Sequence, residues 1–242
     1  MSEHVTRAFD AGARRYDLLT SLNPGYHAHL RRAATALAEA VPHARTIVDL
    51  GCGSGASTRA LLDAFGAGVR IIGVDASPGM LAEARAKQWP ASVTFQQGRA
   101  GASGDVLDGP VDGVLACYLF RNVPADARDA ALRDTHDHLA PGGALVAQDY
   151  ALDGSPAPRA VWTTVALGVV RPLATVTGGN RALYSHLHRS VIDFDAPAAF
   201  ADRLVAAGFD DVARSTVPGW QHQILHLFRA RRPAQPVEGS LP

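Results

Sequence analysis

The chain has 242 residues, 47% of them hydrophobic and only 19% charged, enough apolar material for a sizeable core, which excludes general disorder. Its 23 basic side chains balance 23 acidic ones, so there is no positive field to hold a polyphosphate backbone and no nucleic-acid partner is expected. Cys52 and Cys117 form neither a disulfide scaffold nor a zinc site, and the charged N-terminus MSEHVTRAFDAGARRYD lacks the apolar run of a secretory signal, so a cytoplasmic location is expected.

Residues 1–43 read as two helices broken near Asn23, Pro24 and Gly25, a helical cover ahead of the first strand. Short β-branched runs then alternate with helical patterns, the rhythm of βαβ units feeding a parallel sheet. Strands are expected at 46–50, 70–74, 93–97, 113–117 and 144–150, and helices at 57–65, 78–88 and 125–139. Ser77 supplies an N-cap before Pro78, and Pro141, Gly142 and Gly143 stop the third of these helices. After Tyr150 the rhythm changes: 153–159 is rich in Pro, Ser and Gly, and an apolar helical stretch follows at 160–174, so 151–190 reads as an inserted lid. The most apolar run, 161–170, is half of what a membrane-spanning helix requires, which is about 20 residues. A helix at 196–207 ends at Gly208, and runs at 211–217 and 223–229 fit an antiparallel hairpin completing the sheet. One domain over 1–232 with a disordered tail at 233–242 is expected.

The segment TIVDLGCGSG joins a buried strand to a helix through glycines 51, 53 and 55, where the backbone can turn tightly and approach a ligand that a Cβ would exclude. Asp75 closes the second strand, 24 residues after Gly51, where a carboxylate can accept both hydroxyls of a ribose. Two cofactor classes compete. Gly51, Gly53 and Ala56 satisfy the relaxed dinucleotide fingerprint, which keeps a nicotinamide or flavin oxidoreductase as an alternative. Asp49, two residues before the first glycine, would meet a cationic ammonium well and a pyrophosphate badly, which favours S-adenosylmethionine.

The G-x-G-x-G loop ending at Gly55 and the Pro141-Gly142-Gly143 turn resemble class I S-adenosylmethionine-dependent methyltransferases. Four further places narrow the resemblance: Phe9-Asp10 with Tyr16-Asp17, Leu119-Phe120-Arg121-Asn122-Val123, YSHLHRS from Tyr184 to Ser190, and Ala207-Gly208-Phe209. Together they resemble the ubiquinone/menaquinone biosynthesis C-methyltransferases over nearly the whole chain. The resemblance implies a Rossmann-like α/β fold with a seven-stranded, mostly parallel sheet, helices on both faces and a helical lid. It implies cofactor contacts from Tyr16, Asp49, Gly51, Gly53, Ser54, Gly55, Asp75, Ala76, Met80 against the adenine face, Arg99, Ala100, Cys117 and Tyr118. Where that family has Gly-Asp-Ala or Gly-Asn-Ala after its third strand, this chain has Gly98-Arg99-Ala100. Arginine only donates, so the adenine amine must be met by stacking on Arg99, by Asp105, or by the backbone at 99–100.

What the resemblance implies for function is methyl transfer to a small aromatic or quinone-like acceptor, prenylated or otherwise hydrophobic, with carbon methylation favoured. Arg121 would stabilise a phenolate, Asn122 would orient the ring or a water, and His186, where the family tends to have a tyrosine, would take the proton. The plainer reading pairs Arg121 with Asp126 and lets Asn122 cap the helix beginning near 125. Alternatives are an O- or N-methyltransferase of a secondary metabolite and a non-catalytic cofactor-binding subunit. A homodimer and peripheral membrane contact are both compatible. No metal is expected: His136 and His138 face differently on a helix and read as surface residues, and His186 and His188 share a face only if extended. Tyr118, Tyr150 and Trp162 read first as core or lid packing, and Trp220 falls at a hairpin turn.

Overall fold

The computed structural model describes residues 25–165, 167–168 and 181–234. Seven strands form one sheet: β1 (Thr46–Leu50), β2 (Arg70–Asp75), β3 (Val93–Gln97), β4 (Val111–Cys117), β5 (Leu139–Tyr150), β6 (Asp210–Thr216) and β7 (Leu225–Arg231). Their spatial order is β3-β2-β1-β4-β5-β7-β6, parallel except that β7 runs antiparallel to both β5 and β6. The order reverses between β1 and β4, and in open α/β sheets ligands bind outside the carboxyl ends of the strands at that point.

Seven α-helices are described: α1 (Tyr26–Ala40), α2 (Ala56–Phe65), α3 (Pro78–Arg85), α4 (Arg128–His138), α5 (Pro156–Val165), α6 (Arg181–Ile192) and α7 (Pro197–Ala206). On α1 the buried Tyr26, Leu30, Ala33, Ala34, Leu37 and Ala40 recur at helical spacing, so one stripe packs against Ile47, Leu115 and Val146 on one sheet face. The other face packs Val48, Val114, Leu145 and Phe228 against Leu132 of α4 and Phe200 and Leu204 of α7. Ser77 caps α3 as expected, its hydroxyl accepting from Met80 N at 3.1 Å.

Several boundaries differ from the sequence expectation. The Pro141-Gly142-Gly143 turn does not precede β5 but lies inside it: Val111 pairs with Leu139 and Gly113 with Ala144, so the turn is bulged out of the ladder. Gly142, at φ 79°, makes that bulge, and its N–H finds Arg232 O at 3.0 Å. Helix α4 starts at Arg128 rather than 125, and α3 stops at Arg85 rather than 88. The helix expected at 160–174 begins earlier, at Pro156, and the last six residues of that span lie outside the described ones. The first N-terminal helix with Phe9, Asp10, Tyr16 and Asp17, and the tail from 235, are likewise outside them. Among the described residues no helix is long and apolar enough to cross a membrane.

Candidate active site

A cleft opens at the carboxyl ends of β1, β2 and β4, and its walls include Gly51, Gly53, Ser54, Asp75, Ala76, Met80, Arg99, Ala100, Cys117, Tyr118, Arg121 and Asn122. Twelve of the residues expected from the sequence are thus brought to one place. Asp49, Gly55 and Asp105 are not part of the lining, His186 reaches it through Asn122, and Tyr16 lies outside the described residues.

The loop after β1 is tied to the end of β2. Gly51 N and Cys52 N donate to Val74 O, and Gly53 N donates to Asp75 Oδ2 at 2.8 Å. Asp75 Oδ1 accepts from Ser77 N at 2.8 Å, so this carboxylate both braces the loop and starts α3. Gly53, at φ 54°, leaves the loop floor bare: a Cβ there would meet nothing nearer than Met80 Cε at 3.9 Å. Gly55 has a different reason to be glycine than cofactor contact. It is the N-cap of α2 at φ 91°, and a Cβ would stand 2.9 Å from the Trp89 ring.

Asp49 is completely buried beneath the loop, and its Oδ2 accepts from Ser57 Oγ at 2.8 Å and Thr58 Oγ1 at 2.6 Å. Among the described residues its Oδ1 has no hydrogen-bond partner. Burial pushes the carboxyl up to about 6, the two hydroxyls opposing the shift.

After β4 the turn Phe120–Asn122 brings two polar residues, Arg121 and Asn122, into the cleft wall. Arg121 does not pair with Asp126. Its Nε lies 3.1 Å from Asp149 Oδ1 on β5, its backbone N donates to Asp149 Oδ2 at 3.1 Å, and its Nη1 donates to Ser190 Oγ of α6 at 2.6 Å. Nor does Asn122 cap α4, whose N-cap is Ala127. Asn122 Nδ2 donates to Tyr118 O at 2.8 Å, so Oδ1 is the acceptor, receiving Arg121 Nη1 at 3.3 Å and facing His186 Nε2 at 2.9 Å. Asp149 is fully buried, and burial pushes its carboxyl up to about 6 against the pull of Arg121.

Asp149, Ser190 and Tyr26 are the participants that sequence reasoning missed. An acid closing the otherwise apolar fifth strand (LVAQDY) was the available signal for Asp149. Ser190 stands four residues after His186, one helical turn away on the same face of α6, which is the signal for that pair. Since 186–188 are helical, His186 and His188 do not share a face, correcting the extended alternative. His136 is half-buried against the Phe209 ring rather than fully at the surface. Tyr26, Tyr118, Tyr150 and Trp162 form a column with ring centroids 5.5, 5.2 and 5.0 Å apart, Tyr118 holding the left-handed φ of 58° that turns the chain out of β4.

Residues 47–143 match a family model described as a methyltransferase domain. The chain is 34% identical over 204 residues to the demethylmenaquinone methyltransferase of Thermus thermophilus, spanning 83% of this chain and 90% of that protein. It is 28% identical over 223 residues to a ubiquinone/menaquinone biosynthesis C-methyltransferase of Methylobacterium nodulans, spanning 89% and 86%. Among solved structures, human N-acetylserotonin methyltransferase in complex with SAM aligns with a TM-score of 0.61 at 18% identity, over 91% of this chain and 56% of that longer one. Magnesium protoporphyrin IX methyltransferase from Synechocystis PCC 6803, with SAH bound, aligns with a TM-score of 0.57 at 18% identity, over 86% and 84%. At such identities the structural likeness speaks for the fold alone.

Proposed function

The chain belongs to the ubiquinone/menaquinone biosynthesis C-methyltransferases, S-adenosylmethionine-dependent enzymes, and from that premise we propose that it methylates a ring carbon of a small, hydrophobic, aromatic or quinol-like acceptor. The observation that carries this reading is the buried chain Asp149, Arg121, Asn122, His186, which opens on the same cleft as the glycine loop.

The residues present fit the cofactor. The Oδ1 of Asp49, without a partner among the described residues, is an acceptor for an ammonium, the bare floor at Gly53 admits close approach, and Asp75 stands at the end of β2 for ribose hydroxyls. When bound, S-adenosylmethionine supplies an electrophilic methyl group on a sulfonium. Arg99 is exposed at the cleft wall, placed to stack on a base rather than to accept from it.

Carbon methylation needs electron density pushed from a ring oxygen to a ring carbon. The Arg121 guanidinium has only donors to offer, so it stabilises the phenolate and does not take the proton. His186, whose Nε2 faces Asn122 Oδ1, is the residue we propose to take the phenolic proton, directly or through a water. The test is product analysis with reduced naphthoquinones and labelled cofactor: a new carbon-methyl resonance supports the reading, and methyl on oxygen or nitrogen alone overturns it. In parallel, Arg121→Met is expected to keep cofactor affinity and lose at least about a hundredfold in kcat, the cost of removing one charge stabiliser.

A further inference from the structure

Five buried polar atoms without a hydrogen-bond partner among the described residues gather around one side chain, Tyr150: both amide atoms of Gln148, the Tyr118 hydroxyl, Trp162 Nε1 and Gln221 Oε1. Gln148 precedes Tyr150 by two residues on β5 and so shares its sheet face. The Tyr118 and Trp162 rings lie 5.2 and 5.0 Å from the Tyr150 ring, and Gln221 Nε2 donates to the Tyr150 hydroxyl at 3.3 Å. All four residues are more than nine-tenths buried, Gln148 completely. Native interiors satisfy nearly every such group, so five together call for buried water or a ligand.

Position indicates what that is. Tyr118 and Cys117 line the cleft, and Cys117 is the register partner of Gln148. Adjacent strand residues face opposite ways, so Gln148 and Tyr150 occupy one face of β5 while Asp149, which holds Arg121, occupies the other. A ring reaching from the cleft past Tyr118 would meet the Arg121 guanidinium on one side and this cluster on the other. We infer that the cluster is a second polar subsite for the methyl acceptor, with Gln148 as its specificity-determining residue. The Tyr118 hydroxyl and the indole of Trp162 donate, and the Gln148 and Gln221 oxygens accept. That set suits a hydroxyl or carbonyl oxygen on the aromatic acceptor, separate from the oxygen held at Arg121.

The inference rests on the aromatic-acceptor reading above, and one experiment separates the two. Carbon methylation of 1,4-dihydroxynaphthalene and of 1-naphthol is compared under reducing conditions, in the parent and in Gln148→Leu, with Gln148→Met as the second variant should leucine not fold. The parent is expected to favour the dihydroxy ring in kcat/KM by at least about tenfold, and the leucine variant to bring that ratio near unity through a higher KM for the dihydroxy ring. Cofactor affinity and the thermal midpoint should not fall, because leucine removes unpaired polar atoms from an apolar layer. A parent that does not discriminate, or a folded variant that keeps the parent ratio, overturns the inference while the proposed function stands. A parent that methylates neither ring overturns both.

Discussion

Asp49 shows how one side chain is left unfinished by its own fold. Two hydroxyls of α2 occupy one oxygen, the other has no partner among the described residues, and burial raises the carboxyl to about 6. Its folded value lies above the usual carboxylate range, so between about pH 4 and 6 the folded cofactor-free protein binds more protons than the unfolded chain, and this group's contribution to stability falls as pH rises through that window. Cofactor affinity should run the other way. At pH 5 only about a tenth of such a group is ionised, so affinity measured by calorimetry is expected to be about tenfold weaker than at pH 7, and Asp49→Asn should weaken binding and flatten the profile. Asp75→Ala is expected to weaken the cofactor by about 1.5–3 kcal/mol, the value of a hydrogen bond to a charged acceptor; unchanged affinity would remove the ribose assignment. Asp49 was legible because it stands just before the glycine loop, and Asp75 because it closes the second β-branched run 24 residues after Gly51. Asp149 was not, since its role depends on Arg121 arriving from β4, 28 positions away in the chain.

Between elements, the polar joints behind the cleft rest on Asp195. Its carboxylate meets Arg128 Nη1 at 3.0 Å and Arg203 Nε at 2.9 Å, so α4 and α7 share one half-buried acid, and Arg128 Nε also donates to Phe120 O at 3.1 Å, fixing the turn that carries Arg121. Asp195→Asn leaves a buried guanidinium uncompensated and is expected to cost about 3–5 kcal/mol in urea unfolding; a loss below about 1 kcal/mol would show the joint to be solvent-screened. Such joints are not visible in a sequence, because α4 and α7 are separated by β5, α5 and α6 and meet only once the sheet has formed. The elements themselves were visible where the apolar period was long, as in the stripe of α1. Their ends were not: the turn at Pro141 reads as a stop between elements, and only pairing of Leu139 with Val111 shows that the strand has already begun.

At the scale of the whole molecule, the cleft draws on α1, the loops after β1, β2 and β3, and the turn after β4, so a bound ligand touches five separate parts of the chain. Among the described residues no group of three His, Cys, Asp or Glu could hold a metal ion, and methyl transfer is expected to survive EDTA; loss that added Mg²⁺ restores would place a metal in the mechanism. The same architecture makes cofactor choice readable as stability. A ligand that binds only the folded state at a hundred times its Kd adds about 2.7 kcal/mol. For a chain of this size each kcal/mol moves the midpoint by about 2–4 °C, so saturating S-adenosylmethionine should raise Tm by about 5–11 °C. NADH carries a pyrophosphate, which the Asp49 carboxylate repels, and should produce no shift at the same excess. Asp75→Ala should shrink the S-adenosylmethionine shift at fixed ligand concentration without lowering the cofactor-free midpoint by more than the loss of its two backbone bonds, about 1–3 kcal/mol. A shift with NADH and none with S-adenosylmethionine would return the glycine loop to the dinucleotide reading.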